Sequence, residues 1–450
     1  MAEALFPVHR SWVTSTLGDV AALGGGNVQT GPFGSQLHAS DYVSFGIPSV
    51  MPQNIGDNTI SVEGIARIRV EDAQRLSKYR LRVGDIVYSR RGDVERRALI
   101  RPENDGWLCG TGCLRVRFGK GHVVPEYAAF YLGHPSVRAW IVQHAVGATM
   151  PNLNTKILSD LPFVLPPTRD QQSIAEILGS LDDKIELNRR TKETLEAMVQ
   201  AIFRDWFVDF GPTRRKIEGA TDPVEILGGL VADADRARQL ANLFPALLGD
   251  NGLPVGWRIG RLDDIANIHM GASPKGDTYN EEGIGTPLAN GPVEFGDYFL
   301  IKRKWTTSPT RLSQYGDYII CVRGSTTGRR VFADGVYCLG RGVAAIRGRD
   351  GQQDFVNATI DTFIDVLLQK TTGSVFPNLS GDDIRGFACL VPPSAIANEF
   401  SSFASPLRCR VWHNVEEVTV LAETRDLLLP KLMSGEITIR DAEQRLEAAQ

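Results

Sequence analysis

Between residues 166 and 206 the apolar side chains recur with a helical period. Ile174, Ile177, Leu181, Ile185, Leu195, Val199, Ile202 and Trp206 fall on one line. With Asn188 on the same line, the gaps are three or four, and seven in one case, so a single narrow seam runs down one helix face. Arg, Lys, Asp and Glu fill the other faces. Pro166-Pro167 stops any earlier strand, and Thr168 is placed to cap the helix start. A helix over 169–206 is roughly 55 Å long at ~1.5 Å per residue. It is too long for an ordinary domain helix and too narrow-seamed for a core helix, which predicts one arm of a coiled coil.

The same arrangement occurs twice. Trp12-x4-Leu17-Gly18-Asp19-Val20-Ala21 matches Trp257-x4-Leu262-Asp263-Asp264-Ile265-Ala266. Gly84-Asp85 with Arg91-Gly92 and Arg97 matches Gly316-Asp317 with Arg323-Gly324 and Arg329. From Pro151-Asn152-Leu153 and Pro377-Asn378-Leu379 onward the offset is constant. It carries Pro166-Pro167 onto Pro392-Pro393, Ile174 onto Phe400, Ile185 onto Val411, Asn188 onto Asn414 and Ile202 onto Leu428. A seam kept in phase over that length points to duplication rather than chance.

Each copy carries short runs bounded by Gly, Pro, Asn and Asp, such as Asp85-Ile-Val-Tyr-Ser and Gly342-Val-Ala-Ala-Ile, that read as strands. Short helices fit around 126–132, 136–146 and 361–368. The predicted fold class is α+β, with two tandem-repeated domains whose sheets are irregular and mostly antiparallel, joined by two long helices that pair as an antiparallel coiled coil. The divisions are 1–168 for the first domain, 169–208 for the central helix and 209–250 for a linker with a short helix near 231–240. The second domain then spans 251–393, the second long helix 394–430 and a tail 431–450. Pro430 is expected to end the second helix, leaving a short apolar segment to dock. In an antiparallel pair the midpoints meet, so Asn188 and Asn414 are expected to hydrogen-bond across the seam and fix its register. Two heads held apart by such helices suit a ligand with two sites at fixed spacing, and duplex DNA, with a repeat of ~34 Å, is the obvious one.

Composition narrows this only a little. Hydrophobic residues at 42% and charged residues at 23% are ordinary for a soluble globular chain, and the net charge of −4 confines any nucleic-acid surface to local patches. Six scattered cysteines without a CxxC pair suggest reduced thiols and a cytoplasmic setting. No signal peptide or membrane-spanning run is apparent. The basic patch is local: between Lys302 and Arg349 ten Lys or Arg face two Asp.

The candidate DNA contacts are Arg90, Arg91, Arg96 and Arg97 in the first copy and Arg323, Ser325, Thr326, Arg329 and Arg330 in the second. Arginine reads guanine edges bidentately, while hydroxyls and backbone N–H groups hold phosphates. Ser35 and Gln36, the equivalent Lys275, and Asn152 with Asn378 join these; Thr149 and Ser374 lie beside the asparagines. Catalytic motifs for phosphate loops, dinucleotide binding, zinc proteases and serine hydrolases are missing, as is the Asn-Pro-Pro-aromatic tetrapeptide of amino-methyltransferases. No catalytic, cofactor-binding or metal-ligating residue is expected in this chain.

The helix sequence Pro166-Pro167 followed by Gln171-Gln172-x-Ile174-Ala175-x2-Leu178-x2-Leu181-Asp182-x2-Ile185 resembles that of type I restriction–modification specificity subunits. So do Phe203-Arg-Asp-Trp-Phe-Val-Asp-Phe210 and the ending Leu427-Leu-Leu-Pro-Lys-Leu-Met-Ser-Gly-Glu436-Ile437. The starts at Trp12 and Trp257 resemble those of the family's target recognition domains. The second helix departs from the pattern, with Ser394-Ala-Ile-Ala-Asn-Glu in place of the usual Glu-Gln-x2-Ile-Ala, although its seam survives. The resemblance implies a non-catalytic subunit in which each domain reads one half of a split double-stranded DNA site. The helices would set the spacer and dock two modification subunits. S-adenosylmethionine would then sit on those methyltransferase subunits, and ATP and Mg would serve the restriction (translocase and nuclease) subunits. The alternative is a coiled-coil scaffold that binds proteins and not DNA.

Overall fold

The computed structural model describes residues 3–147, 150–369, 378–438 and 441–442. The chain forms two compact units, residues 1–187 with 417–450, and residues 188–416. Each holds one copy of the repeat and one half of each long helix.

In the first unit a four-stranded antiparallel sheet runs in the order Gly25–Thr30, Cys113–Gly119, Ile86–Ser89, Arg97–Leu99. A smaller sheet places Tyr42–Val50 between Ala66–Ile68 and Leu108–Cys109, the last pairing parallel. Val13–Thr16 pairs with Pro162–Leu165 just before the long helix. The second unit repeats this order with Ala266–Met270, Val343–Gly348, Tyr318–Cys321 and Arg330–Phe332. Its smaller sheet again holds one parallel pair, Thr286–Ala289 with Cys338–Leu339, and Arg258–Arg261 pairs with Ala388–Val391. The predicted α+β duplication is therefore present, with the larger sheet repeated strand for strand and the smaller sheet three-stranded in the first unit and four-stranded in the second.

The first long helix is Thr168–Phe203 and the second is Ser394–Ser434. Ile174, Ile177, Leu181 and Ile185 are buried, as are Phe400, Val411 and Leu428. In the first unit Asp182 pairs with Arg425 at 2.7 Å and Lys184 with Glu417 at 3.4 Å. The first helix advances while the second retreats, so the segments run antiparallel. Gln171 fastens the helix start to its domain: its side chain donates to the Pro166 and His122 carbonyls and accepts from the Val124 N–H. Ala397 holds the matching place in the second helix, and the departure there removes this tie.

Three expectations change. The second helix does not stop at Pro430; it continues to Ser434, where Gly435 at φ +72° turns the chain and its N–H reaches the Leu432 carbonyl. A proline inside a helix costs about 3 kcal/mol. Leu428, Leu432 and Met433 are all buried around it, and at ~1.5–3 kcal/mol each their burial outweighs that cost. The stretch expected to be a linker is folded. Gly211–Ile217, Pro223–Ile226 and Ala234–Ala241 are helices, and Phe244 packs edge-on to Trp206 at 5.1 Å. The Phe203–Phe210 motif is the hub of that cluster, since Phe203 and Phe207 also meet Phe355 and Phe400. Finally, Asn188 and Asn414 are both buried, but both polar atoms of the Asn414 amide lack a hydrogen-bond partner. The expected bond between the two asparagines is not made.

Candidate nucleic-acid interface

In the first unit the loop from Ser89 to Arg97 is the hairpin joining the inner strand Ile86–Ser89 to the edge strand Arg97–Leu99 of the larger sheet. The Ser89 hydroxyl donates to the Arg91 carbonyl at 2.9 Å, and the Gly92 N–H donates to the Pro151 carbonyl at 3.2 Å. The Pro151-Asn152-Leu153 turn therefore buttresses the hairpin. Arg90 donates from Nε to the Asn152 Oδ1 at 3.3 Å, and its guanidinium lies 6.0 Å from the Phe33 ring centre. Phe33 begins the Ser35–Gln36 loop, so Arg90, Asn152 and that loop are brought together. Gln36 shapes the loop: its Oε1 accepts from the Phe33 N–H at 3.3 Å and from the Tyr79 hydroxyl at 2.7 Å. Ser35 and Arg91 are exposed. Arg96 is exposed and ion-paired to Asp93 at 2.6 Å.

Arg97 is the exception. It is 4% exposed, donates from Nε to the Ala129 carbonyl at 3.0 Å and pairs with Asp57. Burial pushes the Asp57 carboxyl up, but the charges and hydrogen bond of Arg97, with Arg138 and Arg425, more than offset this and hold it below its usual range. Arg97 is a structural cation and is not offered to a ligand.

In the second unit the corresponding hairpin presents Arg323 and Ser325 to solvent, with Thr326 half-buried beside Cys321. Its backbone bridges to Asn378, as Arg91 bridges to Asn152. The Asn378 Oδ1 is buried without a partner among the described residues, and Val322 stands where Arg90 stands in the first copy. Strand register corrects the sequence match. Tyr88 pairs with Arg97 and Ile320 with Arg330, so the counterpart of Arg97 is Arg330 and the second hairpin is one residue longer. Arg330 is committed in the same way, to Asp361 at 2.8 Å, the Tyr318 hydroxyl at 3.1 Å and the Gly328 carbonyl at 2.9 Å. Arg329 is tethered to the Phe295 and Gly296 carbonyls at 3.0 and 3.1 Å. Lys275 is exposed, in the loop where Ser273 contacts Asn290 and Arg341. Thr149 and Ser374 lie outside the described residues.

The repeat also hides a pair that the sequence reading did not isolate. Asp85 holds Arg117 with both carboxylate oxygens, and Asp317 holds Arg347 at 2.7 and 2.8 Å. Both aspartates are buried. The recurrence of Gly-Asp was visible, but its arginine partner stands on a distant strand. Of the local basic run, Arg347 is spent on Asp317 and Arg330 on Asp361. Lys302, Arg303, Lys304, Arg311, Arg323, Arg329, Arg341 and Arg349 remain exposed. Among the described residues no group of three or more His, Cys, Asp or Glu is arranged to hold a metal ion, and no helix is long and apolar enough to cross a membrane.

Two copies of one module, each with an exposed basic hairpin braced by an asparagine turn, and two long helices running through both, define a duplicated ligand-reading protein. Comparison with known proteins points to a family. Residues 9–197 match the type I restriction modification DNA specificity domain. The MjaIX type I restriction enzyme specificity subunit of Methanocaldococcus jannaschii is 21% identical over 449 residues, covering 96% of this chain and 95% of that protein. The HindI specificity subunit of Haemophilus influenzae is 25% identical over 413 residues, covering 82% and 90%. Residues 9–197 therefore carry a type I restriction modification DNA specificity domain, and most of the chain is similar to type I restriction enzyme specificity subunits. Its fold is that of the S subunit crystal structure from M. genitalium, with a TM-score of 0.60 at 15% identity over 95% of this chain and 98% of that one.

Proposed function

We propose that this chain supplies DNA sequence specificity to a type I restriction–modification complex without itself catalysing a reaction. Each unit reads one half of a bipartite, asymmetric site. The two long helices set the spacer between the halves, and their exposed charged faces dock two modification subunits. Those subunits carry S-adenosylmethionine and methylate adenine, and restriction subunits add ATP- and Mg-dependent translocation and cleavage. The observation that carries this reading is the pair of matched hairpins, Ser89–Arg97 and Cys321–Arg330, which share a frame and differ in their exposed residues. Similar frames suit one kind of ligand, and different side chains with a one-residue difference in length suit two different half-sites.

The test is methylome sequencing of a host that expresses this chain with its companion subunits. A split motif with two unlike halves is expected. Exchanging residues 251–393 for those of another member should change one half and leave the other. A change in both halves, or no sequence-dependent methylation, would refute the proposal.

A further inference from the structure

Single exposed apolar residues on a protein surface are normal and ask for no explanation. Phe45, at 92% exposed, asks for one because of where it stands. Tyr42 and Ile47 both pair with Ile68, so residues 43–46 bulge out of the ladder within the strand Tyr42–Val50. Phe45 is the tip of this excursion. Gly46 closes it, lying so near the Ile68 carbonyl oxygen that a Cβ there would come within 2.2 Å.

The second unit repeats this with an unrelated sequence. Tyr279 and Thr286 both pair with Thr306, so residues between them make the matching excursion. Its exposed apolar residue is Ile284, at 59%, again directly before a glycine. A Cβ on Gly285 would come within 2.3 Å of the Thr306 carbonyl oxygen. The loop is tied across its base: the Asn280 side chain both donates to the Ile284 carbonyl, at 2.8 Å, and accepts from its N–H, at 3.0 Å. Both excursions are rooted beside cations. Arg67 donates to the Gly46 carbonyl at 3.2 Å and Arg69 is exposed next to it; Lys302, Arg303 and Lys304 precede the partner strand in the second unit.

The first excursion is also continuous with the candidate DNA face. Asp41, which precedes it, pairs with Arg75, and Arg75 donates to the Gln36 carbonyl in the Ser35 loop at 2.8 Å.

We propose that Phe45 and Ile284 are wedges, each entering the base stack at one step of its half-site while the neighbouring cations hold the flanking phosphates. This rests on the DNA-reading function proposed above and deepens it. Apolar side chains of this kind unstack a base step and kink the duplex, which gives specificity for deformable steps that no hydrogen bond reads. Phe45 carries the stronger case, because residues 43–46 hold no acid whereas Glu281 and Glu282 share the second loop; the neighbouring cations Arg69 and Lys304 are each near a carboxylate, Asp72 at 3.9 Å and Glu281 at 3.8 Å.

The test uses the full chain assembled with its modification subunits and duplexes carrying 2-aminopurine at each step of the methylated motif in turn. Binding of the wild-type complex should raise the fluorescence at one step in each half. Phe45→Ala should abolish the rise in one half only and weaken binding roughly ten-fold or more, as loss of an aromatic stack does. Phe45→Leu should keep most of both. Because Phe45 packs against almost nothing, the thermal midpoint should not move. Unchanged fluorescence and affinity in Phe45→Ala would overturn the proposal. So would failure of that variant to assemble with the modification subunits, which would make Phe45 a protein contact. If the wild-type complex shows no sequence-dependent binding, the DNA-reading function itself fails and the wedge falls with it, a result distinct from either outcome in the variant.

Discussion

Arg91 and Arg97 stand six positions apart on one hairpin and should respond to truncation in opposite ways. Arg97→Ala removes a side chain that is 4% exposed. It leaves the Ala129 carbonyl without its donor, which costs about 1–3 kcal/mol. It also empties the space of the aliphatic stem, worth a further ~1 kcal/mol or more. The Asp57 side chain is 60% exposed and keeps Arg138 at 3.7 Å, so loss of that ion pair adds no more than ~1 kcal/mol. The total is about 2–4 kcal/mol, or a thermal midpoint lowered by roughly 5–15 °C for a unit of this size. Arg91→Ala should leave the midpoint within about ±0.5 kcal/mol of wild type and weaken DNA binding, with the salt slope reduced by about one if the contact is to phosphate. Differential scanning calorimetry and binding titrations in a salt series measure both. Asp57 gives a further check. Its carboxyl is held below the usual value in the folded chain, so the stability it contributes is present above the unfolded value near ~3.9 and is lost as pH falls through the folded value. The deficit of Arg97→Ala should therefore shrink in acid below about pH 4. An Arg97→Ala protein with wild-type stability and impaired DNA binding would refute the assignment of Arg97 as structural.

Asp317→Asn weakens the fork that holds Arg347 beneath the second sheet and should cost about 3 kcal/mol by denaturant titration; a loss under ~1 kcal/mol would show that the pair is dispensable. His134 is buried, accepts from the Ser136 N–H and stacks 4.0 Å from Phe6, and burial lowers its pKa to about 4. The unfolded chain then binds a proton that the folded one refuses, so stability should fall from about pH 6.5 towards pH 4. His134→Gln should flatten that slope, and an unchanged slope would assign the titration elsewhere. Asn414→Leu replaces a buried amide whose two polar atoms have no partner, and it should stabilise the chain by about 1–3 kcal/mol. A destabilised variant would mean that this amide is satisfied in solution.

The duplication and the long helices were legible because they are written in periodic positions. A seam at intervals of three and four, repeated in phase, needs no knowledge of what packs against it. The same rule explains why Pro430 misled: one residue's local preference is worth a few kcal/mol, and three buried neighbours, Leu428, Leu432 and Met433, outweigh it. The hairpin arginines were harder. Arg96 and Arg97 are chemically identical and adjacent, yet one meets solvent and the other is sealed under Ala129 and Asp57. Which is which depends on where the strand begins, and a one-residue difference in hairpin length shifts the equivalent position from Arg329 to Arg330. A cluster of arginines in sequence therefore marks the neighbourhood of a surface and not its members.

The Phe45 and Ile284 excursions lie at the far end of that scale. They share no motif beyond an apolar residue before glycine, and only the doubled pairing on Ile68 and on Thr306 makes them the same object. Two domains that diverged in most loop residues have kept an element whose tip contributes almost nothing to either core. Packing cannot account for retaining a Phe that is 92% exposed, and folding gains nothing from it. An element that recurs once per unit and adds nothing to either core is a candidate for contact with a ligand, and the proposed reading of one half-site by each unit would give both excursions the same task.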